Sequence, residues 1–356
     1  MASGRPDTID CARDATRSRR STVMTTARLN AALTAIAVVL AATSGDAWAQ
    51  DKVTLQLKWV TQAQFGGYYA AKAKGFYSAE KLDVTIRPGG PDIVPEQVVA
   101  GGGAQFGIDW LPSLLSSREQ GAPLVNIAQI FSLSGIRELA FKTSGIKGAA
   151  DLRGRKVAVW FGGNEFALLA TLEKYKIDKN RDVTLVQQPF DMNLLLQKQV
   201  DAAAAMTYNE FKQVLEAGVK EADLVIIDFN KEGTAMLEDG IFSAATFLAQ
   251  PKNKDIAARF LRASLKGWEH CRDHARECVD LVLKESPILG REHQTWMMAE
   301  INKLVWGPPQ PTTPLGKMDP EAFKRTADIA LRFGVIKKPA DPAAFTHEIW
   351  ELARKK

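Results

Sequence analysis

Short apolar segments that alternate with helix-forming segments constrain the fold of this chain more than any other feature of its sequence. The alternation occupies two stretches, residues 52–145 and residues 151–228. Parallel strands need long connections, which are usually helices, so this order of segments is typical of mostly parallel sheets that helices cover on both faces. We therefore predict an α/β protein with two lobes, each built on its own sheet.

The individual elements follow from hydrophobic periodicity. Val53, Leu55 and Leu57 alternate with polar residues, which predicts a strand with one buried face. In the first stretch we predict further strands at 82–87, 105–109 and 124–130 and helices at 68–74, 91–100 and 111–120. In the second stretch we predict strands at 156–160, 182–186, 202–206 and 224–228 and helices at 165–174, 192–198 and 210–217.

The loop after the first predicted strand contains aromatic and amide side chains, Trp59, Gln62, Gln64 and Phe65. The loop leads into a helix, and ligands of open α/β sheets bind where such helix N-termini lie beyond the carboxyl ends of the strands. This mixture suits a flat, neutral ring that contains nitrogen better than a phosphate, which is usually held by a glycine-rich loop with a basic residue. Trp59 and Phe65 are equally consistent with a place in the hydrophobic core.

Other predicted strand ends place candidate residues in the same crevice. Gly90 would let a ligand approach bare backbone, and Asp109 with Trp110 puts an acid beside an aromatic ring. Asp109 is equally suited to cap the helix that begins at Leu111. The corresponding positions of the second stretch are Trp160, Asn164, Tyr208 and Glu210.

Three segments carry a further signal: residues 55–90, the sequence PGGPDIVPEQVVAGGGAQFGI at 88–108 and the sequence DLRGRKVAVW at 151–160. Together they resemble solute-binding proteins of ABC importers, in the branch related to thiamine-pyrimidine synthases. Riboflavin binders and formylaminopyrimidine binders belong to this branch. The resemblance implies the type II periplasmic binding protein fold, with two α/β lobes and a ligand cleft between them. It also implies capture of a small solute for a membrane permease.

The resemblance bears on the ligand and its contacts. The sequences TQAQF at 61–65 and NEF at 164–166 favour a flavin, whereas Tyr208-Asn209-Glu210 lies where pyrimidine binders of the family carry an aromatic-x-acid motif. A riboflavin-like ring and a pyrimidine precursor of thiamine both stay open. We expect no cofactor, a heterocyclic ligand, an ABC permease as partner, no nucleic acid partner and a monomeric chain. The candidate ligand-binding residues are Trp59, Gln62, Gln64, Phe65, Gly90, Asp109, Trp110, Trp160, Asn164, Glu165, Tyr208 and Glu210.

The predicted lobes divide the chain into segments. Residues 50–143 form the first part of lobe I, residues 144–245 form lobe II, and residues 246–356 return to lobe I and continue as a C-terminal helical block. Strand-like segments at 138–144 and 243–249 are candidate hinges, because the composition changes there. Rotation about such hinges would close the lobes over a ligand.

Residues 1–49 have the pattern of a cleaved secretory signal. Four arginines between Arg17 and Arg28 precede an uncharged run at 31–45, and a small-x-small cleavage motif occupies 47–49. The run is shorter than the roughly 20 residues that span a bilayer, which argues against an anchor. Met24 is an alternative start. Removing 49 of the 356 residues, with +2 of the +5 net charge, would leave 307 residues of charge +3 in the periplasm, too near neutral to indicate nucleic acid binding.

Residues that catalysis would need are scarce. All four histidines lie after residue 269, and none belongs to a zinc-binding motif, so we expect no metal site. Thiamine-pyrimidine synthases, the alternative function, use a lysine that carries pyridoxal phosphate, a donor histidine and a cysteine cluster. The resemblance aligns Asp109 with the lysine, Ser113 with the histidine and residues 240–243, which contain no cysteine, with the cluster. Because Asp109 cannot form an imine and Ser113 has no imidazole, we expect a binding protein and not an enzyme.

Cys271 and Cys278 are the only cysteines left when residues 1–49 are removed. In an exported protein such a pair is a candidate disulfide. On one continuous helix, residues seven apart are about 10.5 Å apart, beyond the roughly 7 Å limit between Cα atoms of bridged cysteines. A helix break at 272–274, with Asp273 capping a new helix from Ala275, would bring them together. The alternative is two free thiols on one helix face.

Overall fold

The structure is a computed structural model that describes residues 50–308 and 310–355. The predicted signal sequence, residues 1–49, lies outside the described residues. Two five-stranded sheets with helices around them give the molecule two α/β lobes. This is the architecture that the sequence pattern predicts.

The described elements are numbered here in chain order. The strands are β1 Asp51–Gln56, β2 Leu82–Arg87, β3 Phe106–Asp109, β4 Leu124–Gln129, β5 Ile136–Phe141, β6 Lys156–Val159, β7 Thr184–Gln187, β8 Ala202–Met206, β9 Leu224–Asp228 and β10 Gly240–Ala244. The helices are α1 Gly66–Ala73, α2 Phe76–Ala79, α3 Pro95–Ala100, α4 Leu111–Glu119, α5 Phe166–Lys174, α6 Asn193–Leu196, α7 Glu210–Glu216, α8 Phe229–Glu232, α9 Ala245–Leu248, α10 Pro251–Asp273, α11 Ala275–Glu285, α12 Arg291–Trp306, α13 Pro320–Arg332 and α14 Glu348–Arg354.

Both sheets are mixed, and they share one plan. The first sheet has the strand order β2-β1-β3-β10-β4, in which β1 is parallel to β2 and β3 while β10 is antiparallel to both of its neighbours. The second sheet has the order β7-β6-β8-β5-β9, in which β6 is parallel to β7 and β8 while β5 is antiparallel to both of its neighbours. Each antiparallel strand is the first one that the chain forms after it leaves the other lobe.

The chain crosses between the lobes earlier than the composition predicts. Residues 138–144 lie in β5 and the turn after it, inside the second lobe, and residues 243–249 lie in β10 and α9 of the first lobe. The crossings are instead residues 130–135 and 233–239. The segments expected to cross are apolar because β5 and β10 are interior strands with a neighbour on each side.

Hydrogen bonds join the two crossings to each other. The buried carboxylate of Glu238 accepts bonds from the Ser134 hydroxyl and from the backbone N–H groups of Gly135, at 2.9 Å, and Ile136, at 3.3 Å. The Gln129 side-chain amide donates to the Glu238 carbonyl oxygen. Burial raises the pKa of Glu238 to about 7. The two crossings therefore form one connected unit at the base of the lobes.

The long helix α10 of the C-terminal block packs on α1 of the first lobe. Helix α10 begins at Pro251, where the missing N–H costs no helical hydrogen bond. It crosses α1 closely, because a Cβ added at Gly267 would lie 2.0 Å from the carbonyl oxygen of Gly67. Among the described helices, none combines the length and apolar character that crossing a bilayer requires.

A helix break and a disulfide follow in the C-terminal block. Helix α10 ends at Asp273 and α11 begins at Ala275, and between these helices the chain turns at His274. A disulfide joins Cys271 and Cys278, whose Cα atoms are 5.5 Å apart, and both residues are fully buried. The expected cap is wrong, since His274 occupies the cap position and the Asp273 carboxylate accepts hydrogen bonds from Arg272.

Candidate functional site

A narrow cleft between the lobes brings together most of the predicted ligand-binding residues. They reach it from the carboxyl ends of β1, β3, β6 and β8, where ligands bind in α/β sheets. Eight of the twelve predicted residues line the cleft, and so do three that were not predicted. The eight are Trp59, Gln62, Gln64, Trp110, Trp160, Asn164, Tyr208 and Glu210, and the other three are Lys58, Met206 and Asn209.

The first-lobe wall is a chain of hydrogen bonds that begins beside a short helical turn, Ala63–Phe65. The Gln62 amide donates to Gln64 Oε1 at 2.7 Å, and the Gln64 amide donates to Asp239 Oδ2 at 2.8 Å. The other oxygen of Asp239 accepts from the Trp110 indole N–H at 3.1 Å. Because Asp239 lies at the end of the second crossing, it connects this wall to the crossing segments.

The second-lobe wall places a titratable carboxyl in the cleft. Glu210 accepts hydrogen bonds from the Met206 backbone N–H at 3.0 Å and from the Asn209 side-chain amide at 2.6 Å. Burial raises the pKa of Glu210 to about 7, although both hydrogen bonds act in the opposite direction. Near neutral pH this side chain can therefore present either a carboxylate oxygen or a hydroxyl group to a ligand. The Trp160 indole donates to the Pro189 carbonyl at 2.9 Å, which fixes its ring.

Aromatic rings of the two lobes touch across the cleft. The Trp59 ring centroid lies 6.2 Å from that of Trp160 and 5.1 Å from that of Phe190. The free cavity between the walls is only about 20 Å³, enough for about one water molecule. The lobes are thus closed on each other, and they must separate before a ring system can enter between Trp59 and Trp160.

The floor of the cleft contains a buried ion pair. The ammonium of Lys58 bonds to Asp109 Oδ1 and lies 5.3 Å from the centroid of the Trp110 ring. Burial lowers the pKa of Lys58, but the Asp109 and Glu96 carboxyls more than offset this, so its pKa is raised from the ordinary value. Among the described residues that line the cleft, Lys58 is the one cation, and its charge is compensated by Asp109.

Four predicted residues do not line the cleft. Phe65 is fully buried in the core, because its position in the helical turn directs its ring away from Gln64 and into the first lobe. Asp109 lies below Lys58 as its ion-pair partner. Gly90 lies in the loop after β2, and Glu165 accepts the Gly163 N–H at 2.7 Å, which turns its carboxylate back onto its own loop.

The residues that the sequence pattern misses have identifiable causes. Lys58 continues the polar face of the predicted strand beyond the end of β1, yet it is buried because Asp109, Trp110 and the Gly163 loop of the second lobe surround it. Met206 ends β8, so the strand-end rule that selected Tyr208 would also have selected Met206 and Asn209. Among the described residues, no group of three or more His, Cys, Asp or Glu side chains is placed to hold a metal ion.

Comparison with known protein families identifies the family of this chain. A family described as NMT1/THI5 like matches residues 62–278, more than half of the chain. The chain belongs to the NMT1/THI5-like family. The match begins at the cleft residue Gln62 and extends through both lobes to Cys278.

Alignments with individual relatives cover most of this NMT1/THI5-like protein and most of each relative. It is 27% identical over 308 residues to the riboflavin-binding protein RibY of Chloroflexus aurantiacus, covering 84% of this chain and 86% of that one. It is 24% identical over 294 residues to a putative thiamine biosynthesis protein of Haemophilus influenzae, covering 82% and 90%. The periplasmic aliphatic sulphonate binding protein SsuA of Escherichia coli aligns with a TM-score of 0.61 at 16% identity, covering 82% and 90%. That likeness shows the type II periplasmic binding protein fold.

Proposed function

We propose that this NMT1/THI5-like protein is the periplasmic solute-binding component of an ABC importer. In this proposal it captures a flat, neutral heterocycle that contains nitrogen. The observation that carries the proposal is the composition of the cleft, where aromatic rings from both lobes lie beside amides and a titratable carboxyl while the ammonium of Lys58 is already compensated. The names of the riboflavin-binding and thiamine-biosynthesis relatives agree with this class of ligand.

The cleft offers two kinds of contact to such a ring. Trp59 and Trp160 lie on opposite lobes with their ring planes at 68° to each other, so a ring inserted between them could stack on one indole and meet the edge of the other. Gln62, Asn164 and Glu210 can donate or accept hydrogen bonds at its nitrogen and carbonyl edges. Apolar walls with a few polar groups that fix orientation are typical of small-molecule sites. Closure of the lobes would then hold the ring out of water.

Anions such as sulphonates suit this cleft poorly, although SsuA has the same fold. An anion in a buried site needs donors or an uncompensated cation. Here the carboxyl group of Glu210 lines the cleft, those of Asp109 and Asp239 lie behind its walls, and the charge of Lys58 is compensated. The fold is therefore shared with anion binders while the electrostatics of the cleft favour a neutral ligand.

A synthase activity of the thiamine-pyrimidine type is the alternative function, and the floor of the cleft argues against it. Imine formation requires a neutral amine. Among the described residues that line the cleft, Lys58 carries the one amine, and its raised pKa and ion pair with Asp109 keep it protonated. Ser113, at the position of the donor histidine, is a buried serine. Binding without chemistry is the function that this site supports.

The location and partners are part of the same proposal. Export through the predicted signal sequence would place a monomeric chain in the periplasm, where the closed form would be recognised by the permease. Ligand binding would shift the population of open molecules toward the closed arrangement. No nucleic acid partner is proposed.

The test begins with the native ligand. Mass spectrometry of protein from the periplasmic fraction, kept under native conditions, identifies the small molecule that copurifies. Titration calorimetry with that molecule then compares Glu210→Gln with the wild type, and we expect affinity to fall about tenfold, because a buried ligand donor left without its acceptor costs about 1–3 kcal/mol. Glu165→Gln is the matched control, since Glu165 lies outside the cleft. Equal affinities for Glu210→Gln and wild type would remove Glu210 from the site.

A further inference from the structure

The floor of the cleft contains more carboxyl groups than its one ammonium requires. Lys58 bonds to Asp109, and Glu96 and Asp239 are close enough to both to interact electrostatically. Asp239 is engaged by Gln64 and Trp110. The ammonium lies where the lobes meet, since a Cβ added at Gly163 of the second lobe would be 4.0 Å from Nζ. Without a compensating carboxylate, the Lys58 ammonium would attract an anionic ligand in the cleft.

Glu96 is an unusual member of this group. It is 1% exposed, and among the described residues neither of its carboxyl oxygens accepts a hydrogen bond. Burial and the neighbouring charge of Asp109 raise the pKa of Glu96 well above its ordinary value. A neutral Glu96 can donate a hydrogen bond to the Asp109 carboxylate. This explains why Glu96 can be buried next to Asp109 although no group in the described part of the chain donates a hydrogen bond to it. Glu96 is thus a second carboxyl that can ionise if Asp109 is lost.

We propose that Lys58, Asp109 and Glu96 together determine which ligand charge the cleft accepts, so that it binds neutral heterocycles and rejects anions of the same shape. This inference rests on the proposed function as a heterocycle binder. The Asp109 carboxylate neutralises the Lys58 ammonium. If Asp109 is removed, Glu96 can ionise and neutralise the ammonium instead. An anionic ring would find no uncompensated cation among the described residues of the cleft and would lie close to the carboxylate of Asp109, a repulsive element that provides specificity.

The proposal predicts that removing one carboxyl is not enough. In Asp109→Asn, Glu96 can ionise and pair with Lys58, so discrimination against anions should weaken by only about threefold. In the double variant Asp109→Asn/Glu96→Gln the ammonium has no close partner, and the preference should move toward anions by about tenfold or more, which corresponds to about 1.4 kcal/mol. Adding Lys58→Met to the double variant should abolish the gain, because the gain depends on the ammonium.

Titration calorimetry with orotate and 6-methyluracil tests this, because the two rings differ by a carboxylate in place of a methyl group. The expected result is no detectable orotate binding by the wild type and clear orotate binding by the double variant. Orotate binding by the wild type, or its absence in a folded double variant, would overturn the proposal. If the double variant lacks wild-type helicity by circular dichroism, Asp109→Asn decides, measured at orotate concentrations high enough to detect a threefold gain over the wild type. Orotate binding no stronger than that of the wild type under these conditions overturns the proposal. If the wild type bound no neutral heterocycle while the double variant gained orotate binding, the proposed function would be contradicted but the role of the three charged residues would not.

Discussion

Glu138 and Glu238 are both fully buried but differ in their hydrogen bonds. Glu138 lies on β5 between Ala204 and Ile227 of the neighbouring strands, and among the described residues neither of its carboxyl oxygens has a partner. Burial raises the pKa of Glu138 well above its ordinary value. Glu238 accepts two hydrogen bonds from the first crossing and a third from Ile136, the first residue of β5. The same side chain therefore destabilises the fold at one position and supports it at the other.

We predict that Glu138→Leu stabilises the protein by about 1–3 kcal/mol, because it removes an unsatisfied buried polar group. The gain should grow with pH. The folded chain keeps its proton on Glu138 above pH 4.5, the ordinary pKa, whereas the unfolded chain loses it, so the wild type loses stability as pH rises above that value. Urea denaturation at pH 5 and pH 8 measures both effects.

Glu238→Leu is the matched control for this prediction. It leaves the Ser134 hydroxyl and two backbone N–H groups without their acceptor, so the unfolding midpoint should fall at both pH values. If Glu138→Leu lowered the midpoint by a similar amount, a partner of Glu138 would have to exist in solution.

At the scale of elements, the loop between β6 and α5 brings the lobes into contact. Gly163 has φ of +122°, and a Cβ added there would lie 2.0 Å from Ser113 Oγ on α4 of the opposite lobe. Gly162 next to it has φ of +95°, and an added Cβ would have no atom within 4 Å. The two positions share backbone strain, and only one of them obstructs closure.

We predict that Gly163→Ala weakens ligand affinity by about tenfold or more, because the closed arrangement loses population when the loop cannot approach Ser113. Titration calorimetry with the copurifying ligand measures the loss. Gly162→Ala should cost similar folding stability and leave affinity close to that of the wild type. Matching losses of affinity in both variants would show that strain in the loop, and not contact between lobes, controls binding.

The sequence predicts local elements well where one pattern decides them. The bounds predicted at 82–87, 202–206 and 224–228 are those of β2, β8 and β9, because short apolar runs between clear turn signals leave little choice. The predicted strand ends likewise identify most of the cleft residues, from Trp59 to Glu210. In α/β lobes the carboxyl ends of parallel strands lie at the same edge of the sheet, where ligands bind.

Other features depend on long-range packing and escape a local pattern. The crossings were misplaced because β5 and β10 are inserted from the opposite lobe, and nothing within a strand indicates which sheet it joins. The alternation around Lys58 suggests an exposed face, whereas Trp110 and the second lobe bury its side chain and Asp109 compensates its charge. Phe65 differs from Gln64 only by direction within one helical turn. Each of these properties appears only when the sheets are assembled.

At the scale of the whole molecule, the cleft and the crossings form one connected system. Asp239 bonds to the first-lobe wall, and Glu238 beside it bonds to the first crossing. A ligand between Trp59 and Trp160 would therefore lie beside a wall that is bonded to the crossings. We propose that the two lobes rotate as rigid bodies about these crossings.

The central claim is that the cleft binds a flat, neutral heterocycle containing nitrogen. Titration calorimetry of wild-type protein, freed of copurified ligand by unfolding and refolding, measures this directly with riboflavin, 4-amino-5-hydroxymethyl-2-methylpyrimidine, methanesulfonate and nitrate. We predict a dissociation constant of about 1 μM or tighter for at least one of the two heterocycles, about −8 kcal/mol, and no measurable heat of binding for either anion. Binding of methanesulfonate or nitrate with no binding of either heterocycle would contradict the account.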